Sequence, residues 1–137
     1  MSAATDQRDK ALDLLASLVL EDGRRWGDAA LKEQWADARA LLHPGGRRPY
    51  HIFTRARGWS KPTDVAGCTL AAMLTQAPPG ADLYAAARDR DQSRLLRRAV
   101  EGFVERTPGL AGRLVVSNWV VLAPHNGARL EVLAADG

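Results

Sequence analysis

The sequence predicts a three-layer α/β fold, with a largely parallel central sheet and flanking helices. Three observations predict it. Two amphipathic helical patterns open the chain, β-rich runs then alternate with helical ones, and a His125-Asn126-Gly127 turn separates the last two apolar runs. A length of 137 residues suits a single domain with one core. With 46% hydrophobic and 26% charged residues the chain is globular material and not a disordered or fibrous one.

Residues 7–21 carry Ala11, Leu12, Leu15, Leu18 and Val19 at near-helical spacing, and Asp22-Gly23 marks the stop. A second helix is expected from Asp28 to Leu42, with Leu31, Trp35, Ala38 and Leu42 on its apolar stripe and His43-Pro44-Gly45-Gly46 ending it. Tyr50–Thr54 is a short β-rich run. Pro62 then opens a helix with Val65, Ala66, Cys68, Leu70, Ala71, Met73 and Leu74 on nearly every side, which implies burial. Pro78-Pro79-Gly80 breaks it, and Ala81–Ala86 reads as a strand. From about Asp89 to Arg106 a further helix buries Leu95, Leu96, Ala99, Val100, Phe103 and Val104, and Thr107-Pro108-Gly109 closes it. Strands are expected at Arg113–Ser117, Trp119–Ala123 and Arg129–Leu133. The organisation is therefore an N-terminal helical segment, 1–46, followed by an α/β core from 47 to 137 within one domain.

A net charge of +3 is compatible with phosphate or nucleic-acid contact without requiring it. The lone Cys68 excludes an internal disulfide and any multi-cysteine metal site, and its place in an apolar helix makes it a small core residue. His43, His51 and His125 are scattered without carboxylates at ligand spacing, so no histidine metal site is expected. Asp13 and Ser17 interrupt the N-terminal apolar residues, which excludes a membrane span there.

The chemistry lies between residues 54 and 64, Thr-Arg-Ala-Arg-Gly-Trp-Ser-Lys-Pro-Thr-Asp. A strand feeds a tight loop, and the loop feeds a helix with Lys61 at its entry. Such a junction aims unpaired backbone N–H groups and the positive end of the helix dipole at one point, which suits a phosphate. Against the pattern G-x-x-x-x-G-K-[ST], Arg55 and Ser60 stand where glycines belong and Pro62 where the hydroxyl belongs; only Lys61 fits. On this pattern alone, an ordinary strand-to-helix turn with a surface lysine is the favoured explanation of the residues.

Further along the chain, Arg57 precedes Lys61 by four residues and Thr63 follows it by two. Ala85-Ala86-Ala87-Arg88-Asp89-Arg90-Asp91-Gln92-Ser93, Thr107-Pro108-Gly109-Leu110 and Arg129–Asp136 follow in order. Together these resemble the phage large terminase subunits, the motors that package DNA into viral heads. The arginine before the lysine resembles that family's deviant phosphate loop, the second run its strand end and D-R-x-Q-A helix start, and the third its S-P-x-L turn. The last run resembles the strand preceding the acidic Walker B strand. The resemblance covers roughly residues 30–137. It implies a P-loop NTPase-like core, incomplete at its C-terminus because the Walker B carboxylates, the coupling motif and the nuclease domain would lie beyond Gly137. It implies ATP and Mg²⁺ as ligands, with Lys61 on the β- and γ-phosphates, Arg57 assisting, and the backbone of Gly58, Trp59 and Ser60 cradling the anion. Thr63 becomes the candidate magnesium hydroxyl, since Pro62 holds the usual position. For a full-length relative it implies an ATPase that translocates double-stranded DNA, as a homo-oligomeric ring on a portal with a small terminase subunit, in the bacterial host cytoplasm. The chain alone is expected to bind nucleotide weakly and not to turn it over, because no carboxylate to orient water is in view.

Gln34 precedes the loop by about the interval at which terminases place an adenine-contacting glutamine, and its amide could pair with an adenine edge. Trp35 either stacks on the base or packs in the core. Arg90, Arg94, Arg97 and Arg98 form either a solvated helix face or a row of DNA phosphate contacts. Arg55 and Arg57 suit either a charge-stabilising role or structural ion pairs, and Asp136 either approaches the site or simply ends the strand. Ser60 and Pro62 leave a second reading open: a non-catalytic remnant module that binds a protein or nucleic-acid partner.

Overall fold

The computed structural model describes residues 3–42, 61–87, 90–117 and 120–134. Helix α1 spans Ala3–Ser17 and buries Ala11 and Leu15. It ends earlier than its apolar spacing suggests, because Leu18–Trp26 folds back as a small hairpin. Leu20 N–H bonds Arg24 C=O, Trp26 N–H bonds Leu18 C=O, and Val19 bridges Arg25 in antiparallel fashion. Asp22-Gly23 is the tip of this hairpin and not a helix stop; Gly23 takes φ +87°, which suits glycine.

The single helix expected from Asp28 to Leu42 is two helices, α2 (Trp26–Ala29) and α3 (Lys32–Leu41). Between them Ala30 and Leu31 are extended, and Leu31 is exposed instead of lying on a core stripe. Gln34 makes the break by folding back so that its Oε1 accepts the Leu31 N–H at 2.8 Å. This is the reciprocal half of a capping box, with no side-chain acceptor at Leu31 to complete it.

Helix α4 (Lys61–Thr75) buries Ala66, Cys68, Leu70, Ala71, Met73 and Leu74, as its continuous apolar pattern requires, and leaves Val65 exposed. Strand β1 (Asp82–Ala87) and helix α5 (Arg90–Arg106) follow. Gly67 sits where α1, α4 and α5 meet, and a Cβ there would lie 2.7 Å from Leu15 Cδ1 and 3.6 Å from Phe103 Cε2. Its missing side chain lets three helices share one core.

The remaining strands are β2 (Val115–Val116), β3 (Val120–Ala123) and β4 (Ala128–Ala134), in sheet order β1-β4-β3-β2. Strand β4 pairs parallel with β1 (Leu83 opposite Leu130) and antiparallel with β3, which pairs antiparallel with β2. The expectation of a largely parallel sheet thus gives way, among the described strands, to a mixed one. The short 124–127 connection can join only antiparallel neighbours. One sheet face buries Val121, Ala123, Leu130 and Val132 in a core shared with α1, α4 and α5. The other carries Tyr84, Leu122, Arg129 and Leu133 and is exposed, so among the described residues the helices cover one face. The run at Tyr50–Thr54 lies outside the described residues.

Asn126 anchors the hairpin between β3 and β4. Its Nδ2 donates to Met73 C=O at 3.0 Å, its Oδ1 accepts the Ala128 N–H, and its own carbonyl accepts the Gly80 N–H at 2.7 Å. The turn is thereby pinned to the end of α4 and to the bend before β1.

Candidate functional site

Helix α4 starts at Lys61, one residue before the proline. The first N–H groups of a helix lack partners inside it, and proline in the first turn contributes no donor, so Pro62 fits here without breaking a bond. The side chain of the next residue, Thr63, is half-buried and its hydroxyl has no hydrogen-bond partner among the described residues. Arg55, Arg57, Gly58, Trp59 and Ser60 lie outside the described residues, as do Asp89 and Asp136.

Asp64, also in the first turn, is buried, with 7% of its surface exposed. Trp26 Nε1 donates to its Oδ1 at 2.9 Å, and Gln34 Nε2 reaches both carboxylate oxygens at 3.1 and 2.9 Å. A carboxylate so placed complements the helix dipole, and these donors offset its loss of water. Trp26 in turn meets Trp35 edge-to-face at 5.0 Å between centroids, and the Arg39 guanidinium lies over the Trp35 ring. Trp35 is partly buried against the core.

The structure brings Gln34 and Thr63 to one small pocket of about 130 Å³, together with Arg24, Trp26, Ala30 and Asp64. Gln34 faces it with its amide already bonded to Asp64 and Leu31. A larger cleft of about 650 Å³ shares Leu20, Arg24 and Thr63 with that pocket and extends to Leu95, Arg98 and Arg106 on α5. Arg24 lies 2.8 Å from Asp22 in an exposed ion pair, and the resulting hydrogen bond holds the Asp22 carboxyl below its ordinary pKa. Arg106 Nε donates to Val19 C=O at 2.9 Å while Val19 N–H donates to Thr107 Oγ1 at 3.0 Å, so the last residue of α5 and the one after it hold both backbone groups of one hairpin residue.

The arginine row on α5 is interrupted by acids. Arg97 pairs with Glu101 at 3.2 Å and Arg94 lies 3.7 Å from Asp91, while Arg98 is exposed. No group of three or more metal-ligating residues occurs among the described residues, Cys68 is buried in the core, and no described helix is long and apolar enough to cross a membrane.

Sequence reasoning passed over Trp26 and Asp64. An indole beside a turn and a carboxylate in a first helical turn are the only local traces of their bond, and neither names the other.

No family model matches the chain, and no curated protein matches it in sequence. Among solved structures, the HK97 bacteriophage large terminase superposes with a TM-score of 0.81 over 95% of this chain, at 17% identity. The chain has a terminase fold. It spans 28% of that terminase chain, so the likeness is to a segment of the larger molecule. At this identity the terminase comparison speaks for the path of the backbone, and the chemistry has to be argued from the side chains.

Proposed function

We propose that this chain is a terminase-like segment that binds ATP with Mg²⁺ at the entry to α4. Lys61 would hold the β- and γ-phosphates, Arg57 would assist, and the backbone of Gly58, Trp59 and Ser60 would cradle the anion. Thr63 would be a magnesium ligand, and the metal would neutralise charge on the phosphates. Gln34, on the wall of the small pocket, would turn one amide hydrogen from Asp64 to an adenine edge. The single observation that carries this reading is the Thr63 hydroxyl. It stands in the first turn of α4, unpartnered among the described residues, and lines both openings. An oxygen ligand in that position suits a hard divalent cation.

A longer polypeptide of this fold would, on the same reading, act on double-stranded DNA in the bacterial host cytoplasm. It would work as a homo-oligomer with portal and small-subunit partners.

Isothermal titration with ATP and Mg²⁺ tests the proposal. Heat of binding is expected from the unmutated chain, with loss in Lys61→Ala and loss of the magnesium dependence alone in Thr63→Val. Failure of the unmutated chain to bind nucleotide at millimolar concentration would overturn it in favour of a non-catalytic module.

A further inference from the structure

The Gln34 amide is held at both of its ends, and the order of those ends is fixed. Its Oε1 accepts the Leu31 N–H at 2.8 Å, and its Nε2 donates to Asp64 Oδ1 and Oδ2 at 3.1 and 2.9 Å. A carboxylate only accepts and a backbone N–H only donates. Turning the amide over would set oxygen against oxygen at Asp64 and N–H against N–H at Leu31, two repulsive contacts in place of bonds. Asp64 does not swing aside to relieve them, because it is buried and Trp26 Nε1 donates to its Oδ1 at 2.9 Å.

A side-chain amide has two acceptor sites on oxygen and two hydrogens on nitrogen. Leu31 takes one acceptor site. With one hydrogen given to the base and the other kept on Asp64, Gln34 presents to the small pocket an acceptor beside a donor, in that fixed order. Adenine offers its N6 hydrogens beside the N7 acceptor and matches it. Guanine carries O6 where adenine has the amino group, so oxygen would meet oxygen. A reversed amide would suit guanine instead, with its N–H on O6 and its oxygen on the N1–H.

We propose that Asp64 is a positioning residue that selects adenine over guanine nucleotides by fixing which way round the Gln34 amide stands. The inference rests on the nucleotide site proposed above and adds its base specificity. Glutamine alone does not supply that specificity, because an amide free to turn pairs with either purine. Asp64 acts on the base only through the amide.

The full chain is titrated calorimetrically with Mg²⁺ and ATP, GTP or ITP, the last having the guanine oxygen without its 2-amino group. ATP is expected to bind about tenfold or more tighter than either, the scale of one bidentate base contact. Asp64→Asn keeps an acceptor for Trp26 but adds a donor that accommodates the reversed amide. It should bring the ATP and GTP affinities to within about threefold of each other. Asn126→Ala, which loosens the β3–β4 hairpin, should keep the native ratio, so that a change of ratio is not general loss of stability. An Asp64→Asn chain with the native ratio, its two affinities lowered together, has lost only a structural bond and overturns the proposal. Equal binding of ATP and GTP by the native chain overturns it while nucleotide binding at Lys61 stands. Binding of neither removes the site itself, and the inference with it. Should Asp64→Asn fail to fold, NMR of the native chain decides. ATP should shift one Gln34 side-chain amide hydrogen strongly and the Asp64-bonded one little, whereas equal shifts of both, or of neither, overturn the assignment.

Discussion

The Trp26 indole and the Asp64 carboxylate meet at 2.9 Å, tying the end of the N-terminal hairpin to the first turn of α4. Phenylalanine at position 26 would preserve most of the ring volume while removing the donor. The buried carboxylate would then keep only part of its partners, at a cost of about 1–3 kcal/mol. Chemical denaturation of Trp26→Phe should show this as a lower midpoint with an unchanged slope. An unchanged midpoint would mean that the bond contributes nothing net.

Asn126 takes part in four hydrogen bonds, two of them through its side chain, to Met73 and Ala128. Asn126→Ala should cost about 1–3 kcal/mol through the Met73 carbonyl and Ala128 amide left unpaired. Amide exchange at Ala128 should accelerate more than exchange in α1, whereas uniform acceleration would argue against a local anchor.

Gly27 and Gly112 make a contrasting pair. A Cβ on Gly27 would lie 2.7 Å from Ala16 Cβ and 3.2 Å from its backbone, while nothing stands within 4 Å of one on Gly112. Backbone cannot move aside as a side-chain tip can. Gly27→Ala should therefore lose about 1–3 kcal/mol by overpacking, in spite of the helix propensity gained. Gly112→Ala should leave the melting temperature nearly unaltered.

The hydrogen bond from Arg24 lowers the Asp22 pKa, so its contribution is present above the ordinary carboxylate value and fades as pH falls through the depressed one. In a carboxylate titration followed by NMR, Asp22 should have a lower midpoint in the native chain than in Arg24→Ala. Coincident midpoints would show that the pair does not persist in solution.

Much of the fold was legible because its signals are local. Pro78-Pro79-Gly80 and the 107–109 turn bounded α4, β1 and α5 to within a residue or two, and His125-Asn126-Gly127 marked the β3–β4 hairpin. The split between α2 and α3 was hidden, since Leu31 fits a helical stripe on paper, whereas in the fold it is extended and its N–H is taken by the Gln34 side chain. At the candidate site, Gln34 and Thr63 were singled out through the terminase resemblance, and both line one pocket. Their neighbours Trp26 and Asp64 were missed because a bond across 38 positions leaves no periodic trace. The two clefts were illegible for the same reason, being assembled from the hairpin, α4 and, for the larger, α5.

Strand β4 is the common member of two unlike ladders, parallel to β1 and antiparallel to β3. The β3 side closes over a four-residue turn, which takes microseconds for an isolated hairpin, whereas the β1 side must wait for α5 to fold and return the chain. Loop-closure entropy thus favours the β3–β4 meander over the β1–β4 ladder as the first part of the sheet to form, a preference set by chain connectivity alone.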